Sequence, residues 1–227
     1  MAVAMKEFTY RVDRRTVAGD WPFFAFLLAT IAVTAWAFPR LPDQAAVHFD
    51  AAGTADRFAG PWFLALWWPI FATGLYLLLL VLPLADPRRA NYASFGRIYG
   101  YLRQATPAFL LVIHLAQLAD ALGMPISPLS VALVVMSALF LLLGLVMDRF
   151  RYNYFVGFRT PWTLASEEVW NRTPAFGSRV WVALSLLNAL VVLLPLHLQL
   201  WASMGVIAVM VVVPVVYSHL VFRQVNA

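Results

Sequence analysis

Six long apolar runs, separated by short polar connections, follow one another along the chain. A helix needs roughly 20 apolar residues to cross about 30 Å of hydrocarbon. The runs cover residues 21–38, 62–84, 106–122, 130–147, 180–196 and 200–222. The third run is the weakest, because His114, Gln117 and Asp120 interrupt it. This pattern predicts an all-α polytopic membrane protein with six transmembrane helices.

The composition favours a membrane protein over a soluble domain. Hydrophobic residues make up 63% of the 227 residues and charged residues only 12%, whereas soluble domains carry about 25% charged residues. The chain has no cysteine, which excludes a disulfide framework, a zinc ribbon and thiol catalysis. The first 20 residues lack the apolar core of a cleavable signal peptide, so the first apolar run is expected to be a retained helix.

Basic residues lie mainly in alternate connections, and this predicts the orientation of the helices. If six helices alternate, two of the 16 Lys and Arg residues, Arg40 and Arg57, fall on one side and the other 14 on the opposite side. The positive-inside rule places the rich side, and with it both termini, in the cytoplasm. Because these basic residues occupy the gaps between apolar runs, the net charge of +5 does not indicate direct nucleic acid binding.

The polar connections divide the chain into three parts. Residues 1–20 form a cytoplasmic N-terminal arm. Residues 21–105 form a two-helix module with an outer loop at 39–61, and residues 106–227 form a four-helix module with an inner, cytoplasmic loop at 148–179. The other connections are short or generic. Function is therefore expected in the two loops and in polar residues buried within the membrane.

The outer loop carries the first group of candidate residues. His48, Asp50 and Asp56 lie within nine residues, and Arg57 follows the last acid. Imidazole and carboxylate groups can bind a divalent cation, but a secure zinc site needs three or four converging ligands. The structural interpretation, in which His48 and Asp56 cap turns and fix the loop on the bundle, is preferred, because Asp and Gly are favoured in turns. The candidates for the less favoured metal site are His48, Asp50, Asp56, Asp120 and His197.

The inner loop contains two signals for helix starts. Thr160 followed by Pro161 is typical of a helix N-terminus. Ser166 followed by two acidic residues is typical of a second one, because Ser accepts hydrogen bonds from free backbone amides and acids favour that end. A short juxtamembrane helix under the bundle is the simple outcome. The loop is either a structural element at the membrane surface or also a docking surface for a partner.

Polar residues inside the membrane form the last group. His114, Gln117 and Asp120 lie on the third apolar run, and ionisable residues in a membrane are costly and therefore functional candidates. Hydrogen bonding inside the bundle is the preferred role, and a small transporter that uses the three residues is the alternative. No hydrolase, metalloprotease or phosphate-loop motif is present, so an enzyme is not expected. A metal-dependent membrane enzyme centred on His48 is the remaining enzymatic alternative.

Two stretches of the chain resemble known sequences. Residues 153–173 resemble the signature of the SdpI family of bacterial membrane immunity proteins, here carried by Gly157, Arg159, Thr160, Thr163, Leu164 and Trp170. Residues 41–58 resemble a domain of unknown function that often precedes it, here carried by Leu41, Pro42, His48, Phe49, Gly53 and Asp56. The chain departs from the second pattern at Ala45, Ala46 and Val47, where that domain commonly has a proline shortly before the histidine.

The resemblance implies a non-enzymatic, multi-pass protein of the bacterial cytoplasmic membrane, without a cofactor. The founding member of the family protects its producer against a secreted, membrane-active peptide toxin and holds a transcriptional repressor at the membrane. A repressor partner need not accompany every relative, and the oligomeric state stays open. The outer, toxin-binding residues would be His48, Asp50, Asp56 and Arg57. The inner, partner-docking or structural residues would be Gly157, Arg159, Thr160, Trp162, Thr163 and Trp170.

Overall fold

The computed structural model describes residues 10–226 and is mostly helical. Lys6 of the predicted N-terminal arm lies outside the described residues. The helices are α1 (Arg14–Gly19), α2 (Trp21–Ala37), α3 (Pro61–Val81), α4 (Tyr92–Ala121), α5 (Pro128–Val146), α6 (Pro161–Ala165), α7 (Glu167–Leu190) and α8 (Leu196–Val225). The strands are β1 (Ala45–Phe49) and β2 (Ala55–Ala59).

Five helical segments of the described residues are long and apolar enough to cross a membrane. They are Trp21–Arg40, Pro61–Ala85, Pro128–Arg149, Glu167–Leu193 and Leu196–Val225. Large apolar side chains are exposed along them, including Trp201 and Leu193 at 62% and 79%. Soluble proteins rarely expose such extended apolar surfaces. The chain is therefore a multi-pass membrane protein.

The third predicted run lies within α4, which is not among these five segments. Its 30 residues give a length of about 45 Å at about 1.5 Å per residue, which is ample for a span. Its polar residues Arg103, His114 and Gln117 are buried, because α4 packs against α2, α3 and α5. The low hydropathy of α4 is therefore explained by its position, because a helix that packs against other helices can carry polar residues on its buried faces. The predicted boundary between the two modules, at 105/106, falls inside this continuous helix.

The outer loop contains a β-hairpin, so the prediction of a wholly α-helical protein needs this correction. Strands β1 and β2 pair antiparallel. In the turn, the Asp50 carboxylate accepts from the backbone amides of Ala52 and Thr54 at 2.9 and 2.8 Å. Gly53 completes the turn with a φ of +80°, a conformation that glycine adopts without steric cost. The hairpin contacts α3 and α4.

The predicted inner loop ends earlier than expected. Both predicted helix starts are present: Thr160 caps α6 by accepting from the amide of Thr163, and Ser166 caps α7 by accepting from the amide of Val169. Helix α7 then continues to Leu190 without a break. Residues 167–179 therefore belong to the helix that contains the fifth apolar run, and the prediction of a loop over 148–179 is wrong in its second half.

Helices α5, α7 and α8 pack together as the second half of the bundle. The contact between α5 and α7 is close at Gly144, where a Cβ atom would lie 2.9 Å from the backbone nitrogen of Val182. Small residues allow such approach where lipid provides no hydrophobic force between helices. Asn188 of α7 adds a hydrogen bond to the Ser137 hydroxyl of α5, at 2.8 Å.

Candidate functional site

A pocket of about 270 Å³ lies between the hairpin and the ends of α3 and α4 that contact it. We call it the hairpin pocket. It is lined by Val47, His48, Arg57, Phe63, Leu64, Trp67, Trp68 and Gln117. His48 and Arg57 come from opposite strands and are paired in the register of the sheet. The pocket therefore combines an aromatic wall from α3 with polar groups from the hairpin.

Gln117 joins the hairpin to both helices. Its side-chain oxygen accepts from Trp68 Nε1 at 2.5 Å, and its side-chain nitrogen donates to the carbonyl oxygen of Val47 at 3.3 Å. The amide is 5% exposed, and a buried polar group without partners is costly. These two bonds consequently fix the hairpin against α3 and α4 at the pocket floor.

Of the four outer residues predicted from the sequence, two line the hairpin pocket and two do not. His48 and Arg57 line the pocket, and Asp56 is hydrogen-bonded to His48, with 2.6 Å between Oδ1 and Nδ1. That bond holds the pKa of the Asp56 carboxyl below its usual value, because it favours the charged form. Asp50 instead shapes the turn, a role that the structural interpretation assigns to His48 and Asp56.

The predicted metal ligands do not form a coordination site. Within residues 10–226, no three His, Cys, Asp or Glu residues come together in an arrangement suited to a metal ion. His48 and Asp56 are in contact with each other, whereas Asp120 and His197 do not complete a set with them. A structural zinc site takes four ligands and a catalytic one three. The contacting pair of His48 and Asp56 supplies fewer ligands than either kind of site takes.

Of the three intramembrane candidates, two are hydrogen-bonded inside the bundle. His114 is fully buried, and its Nε2 lies 2.8 Å from the hydroxyl oxygen of Thr34 on α2. Gln117 is held by Trp68 and Val47 as described above. Asp120 is half-buried near the end of α4. The geometry of His114 and Gln117 agrees with the preferred role, hydrogen bonding between helices.

The inner motif folds around a buried tryptophan. Trp170 is fully buried, and its Nε1 donates to the carbonyl oxygen of Phe150 at 3.0 Å. Gly157 has a φ of +111° and lies against this ring, so that a Cβ atom there would be 3.3 Å from two ring carbons. Positive φ and lack of space both favour glycine at this position. The two motif residues are thus needed for packing.

The two motif threonines also point inward. Thr163 is fully buried, and its hydroxyl donates to the carbonyl oxygen of Phe158 at 2.6 Å. Thr160 is hydrogen-bonded through its hydroxyl to Ser218 of α8 at 3.0 Å. Because Ser218 belongs to the last helix, the motif ties α6 to α8.

Arg159 and Trp162 complete the inner set and are the more accessible members. Arg159 is exposed and donates to the carbonyl oxygen of Tyr154 at 3.2 Å. The ring of Trp162 is half-buried and lies 4.7 Å, between centroids, from the ring of His219. Of the six predicted inner residues, Arg159 is therefore the exposed one.

A buried acid in the connection between α3 and α4 was missed from the sequence. Asp86 accepts from the backbone amides of Arg88 and Tyr154 at 2.8 and 3.0 Å and from the Tyr92 hydroxyl at 3.2 Å. The guanidinium of Arg88 lies over the Tyr152 ring at 3.2 Å. This connection therefore contacts the inner motif. The run of one Asp, one Pro and two Arg residues has the composition of a solvated loop, so composition alone does not indicate a buried acid there.

A buried ion pair was also missed. Arg103 of α4 donates from Nε and Nη2 to the two carboxylate oxygens of Asp20, at 2.9 and 2.8 Å. The Tyr76 hydroxyl donates to the same carboxylate at 2.8 Å, and Arg103 also donates to the Tyr10 hydroxyl at 2.8 Å. The available signal was the position of Asp20 directly before an apolar run and of Arg103 three residues before another.

Comparison with known proteins finds two family models that match separate parts of the chain. The SdpI/YfhL protein family matches residues 149–218, which include the inner motif, α6, α7 and most of α8. A domain of unknown function, DUF1648, matches residues 25–73, which include most of α2, the hairpin and the first half of α3. No curated protein and no solved structure matches the chain. The region that matches SdpI/YfhL therefore follows the region that matches DUF1648, in the order expected from the sequence resemblance.

Proposed function

We propose that this protein is an immunity protein of the bacterial cytoplasmic membrane, which protects the cell against a secreted membrane-active peptide. The match of residues 149–218 to the SdpI/YfhL family supports this proposal. The observation that carries it is the hairpin pocket, because it offers a peptide both an aromatic wall and the polar groups His48 and Arg57. The role proposed is binding, without a cofactor or a catalytic step.

The proposed topology has six spans with both termini in the cytoplasm. Helix α4 would be the sixth span, since it is long enough and connects α3 to α5. With α4 crossing, the hairpin lies on the side that has only Arg40 and Arg57 as basic residues. The positive-inside rule then makes the hairpin side extracellular, where a secreted peptide arrives.

Three stacked aromatic rings on the exposed surface of α3 extend to the hairpin pocket. The rings of Phe63 and Trp67 are stacked with centroids 5.4 Å apart, and those of Trp67 and Phe71 with centroids 6.1 Å apart. All three side chains are about half exposed. Aromatic side chains are enriched at membrane interfaces. A peptide that partitions into the membrane can therefore reach the pocket along α3.

The peptide would place an apolar side chain against the aromatic wall and a polar or acidic group near Arg57. Arg57 is exposed and lies beside the His48–Asp56 pair. A guanidinium presents several donors in a fixed plane that suits a carboxylate. On the opposite side, exposed Arg159 would be available to a cytoplasmic regulator. Relay of the peptide signal is thus part of the proposal, and protection does not depend on it.

The test is survival of toxin-sensitive bacteria that express the protein during challenge with membrane-depolarising peptides. We expect wild type to protect and Arg57→Gln and His48→Ala to lose protection by about tenfold or more in effective peptide dose, which corresponds to about 1.4 kcal/mol of binding. Arg40→Gln is the matched control, because Arg40 lies over the Trp36 ring and outside the hairpin pocket. Arg159→Gln should also protect.

The outcomes separate the function from the site. Protection that survives Arg57→Gln and His48→Ala at matched membrane abundance would keep the immunity function and reject the hairpin pocket. Failure of abundant wild-type protein to protect against a broad peptide panel would contradict the proposed function.

A further inference from the structure

A second and larger cavity opens at the end of the bundle opposite the hairpin. It has a volume of about 720 Å³ and lies between the segment that precedes α2 and the first half of α4. We call it the arginine pocket. The lining residues that matter here are Arg11, Gly96, Arg97, Gly100 and Arg103. Neither the sequence motifs nor the proposed function accounts for it.

The inner wall of the arginine pocket is held rigidly. Asp20 and Arg103 form the buried ion pair described above, and both side chains are at most 4% exposed. The Tyr10 hydroxyl donates to the carbonyl oxygen of Leu80 at 2.9 Å, which holds the segment before α1 against the end of α3. A buried pair with its hydrogen bonds satisfied keeps a fixed geometry. The cavity is therefore a built feature of the fold.

Among residues 10–226, two cations around the cavity have no acidic partner. The Asp20 carboxylate is engaged by Arg103 and Tyr76, and Asp13 caps α1 by accepting from the amide of Thr16 at 2.8 Å. Arg11 and Arg97 are exposed. Within residues 10–226, neither forms an ion pair. The accessible part of the pocket is consequently suited to an anion.

Two glycines of α4 leave the space that an anion would need. A Cβ atom at Gly96 would meet no atom within 4 Å, and one at Gly100 would meet only Arg103 Nη2 at 3.8 Å. Glycine inside a helix costs about 1 kcal/mol relative to alanine. Because Gly96 and Gly100 have no side chain, a ligand can approach the backbone of α4 on this floor of the pocket, next to Arg97.

The cavity lies at the level where lipid headgroups are found. The apolar span of α2 begins at Trp21, directly after Asp20. The carbonyl group of Leu80, which Tyr10 contacts, lies near the end of the span that contains α3. Trp21 is 67% exposed, as expected for an interfacial anchor. Two spans therefore end at the depth of the arginine pocket.

We propose that the arginine pocket binds a phosphate-bearing anion, specifically the headgroup of an anionic phospholipid. Arg11 and Arg97 neutralise the phosphate, and the floor at Gly96 and Gly100 accommodates the headgroup. Basic residues near a membrane surface attract anionic lipid by about 1 kcal/mol each. The acyl chains would continue beside the apolar surface of α2.

The test uses the full-length protein reconstituted in mixed micelles with equal amounts of phosphatidylglycerol and phosphatidylcholine, and measures the retained lipids by native mass spectrometry. We expect wild type to retain phosphatidylglycerol preferentially. Arg97→Gln should reduce that preference about fivefold, in line with about 1 kcal/mol for one basic residue. Gly96→Leu should reduce it by filling the cavity without a change of charge.

The controls are Arg223→Gln, for charge, and Gly205→Leu, because a Cβ atom at Gly205 also meets no atom within 4 Å.

An excess of soluble glycerol phosphate separates the two sources of phosphate. If it leaves the bound phosphatidylglycerol in place, and only the pocket variants lose the lipid, the headgroup assignment is supported. If it displaces the lipid from wild type, the phosphate site stands and the assignment to lipid is overturned. Equal retention of both lipids by wild type, or equal losses in pocket and control variants, would overturn the site itself.

Discussion

Gly157 is the residue at which the inner motif tolerates least change. Its φ of +111° is unfavourable for any residue with a Cβ atom, and that atom would lie 3.3 Å from the Trp170 ring. We expect Gly157→Ala to lower the free energy of unfolding by about 1–3 kcal/mol, the usual cost of such backbone strain. A lower melting temperature of the purified protein in detergent would be the measured effect.

Gly205→Ala provides the comparison for this substitution. A Cβ atom at Gly205 meets no atom within 4 Å, and the residue lies inside α8 with helical backbone. Alanine has the higher helix propensity, so the melting temperature should stay the same or rise. Equal destabilisation by both substitutions would contradict the special role of Gly157.

The sequence motif points to individual residues but not to their contacts in the fold. The motif led to Thr160, Thr163 and Trp170, but the bond from Thr163 to Phe158 and that from Thr160 to Ser218 depend on how α6 meets α8. The ion pair of Asp20 and Arg103 joins residues 83 positions apart. A single sequence contains no pattern that pairs such distant residues, so this pair could not be predicted.

The same ion pair determines how two elements are held together. Asp20 directly precedes α2, and Arg103 lies in α4. We expect Asp20→Asn to destabilise the protein by about 3–5 kcal/mol, because it leaves a buried guanidinium without its counter-charge. The measurement is the melting temperature or the fraction of monodisperse protein recovered in detergent.

The double variant Asp20→Asn with Arg103→Gln separates charge from packing. It removes both charges, so it should recover part of the stability lost in Asp20→Asn alone, as replaced buried pairs often do. If the double variant were less stable by the sum of the single effects, the two side chains would not be coupled. That result would contradict the role assigned to the pair.

Helix boundaries were predictable where a cap marks them and were misplaced where hydropathy alone was used. Thr160 and Ser166 gave correct helix starts because the capping interaction is local. The start of the fifth run at residue 180 was wrong as a helix boundary. Residues 171–179, which include five polar residues, mark the edge of the apolar span, but the helical hydrogen bonds continue through them. The hairpin was missed since its strands are only five residues each.

The two family regions are connected in space by residues outside both of them. The connection between α3 and α4 contacts the inner motif through Asp86 and Arg88. Helix α4 then extends to Gln117, which holds the hairpin through Val47. Because α4 contacts the hairpin at one end and the inner motif's neighbours at the other, it is the element through which the two faces of the molecule are linked. Whether α4 spans the membrane therefore decides whether these two faces lie on opposite sides of it.

The absence of cysteine from the chain allows that position to be tested with single cysteines at both ends of α4. Ser94 and Met124 are exposed and lie near the beginning and just after the end of α4. If α4 spans the membrane, a membrane-impermeant maleimide should label Met124→Cys in intact cells and Ser94→Cys only after permeabilisation. Ala52→Cys in the hairpin turn and Asn226→Cys near the C-terminus should behave like Met124→Cys and Ser94→Cys, respectively.

The pattern of labelling distinguishes six spans from five. With five spans, α4 would not cross, so Ser94→Cys and Met124→Cys would react from the same side, and Ala52→Cys and Asn226→Cys would also share one side. The basic residues would then no longer divide into 14 and two. The whole of α4, including its buried residues Arg103 and His114, would then lie on one side of the bilayer. Yet α4 packs against α2, α3 and α5. Three spans would then have to surround a helix that lies outside the hydrocarbon. Because the contacts of α4 follow its full length, from the Asp20 ion pair to the hairpin, opposite-side labelling is the outcome consistent with the packing.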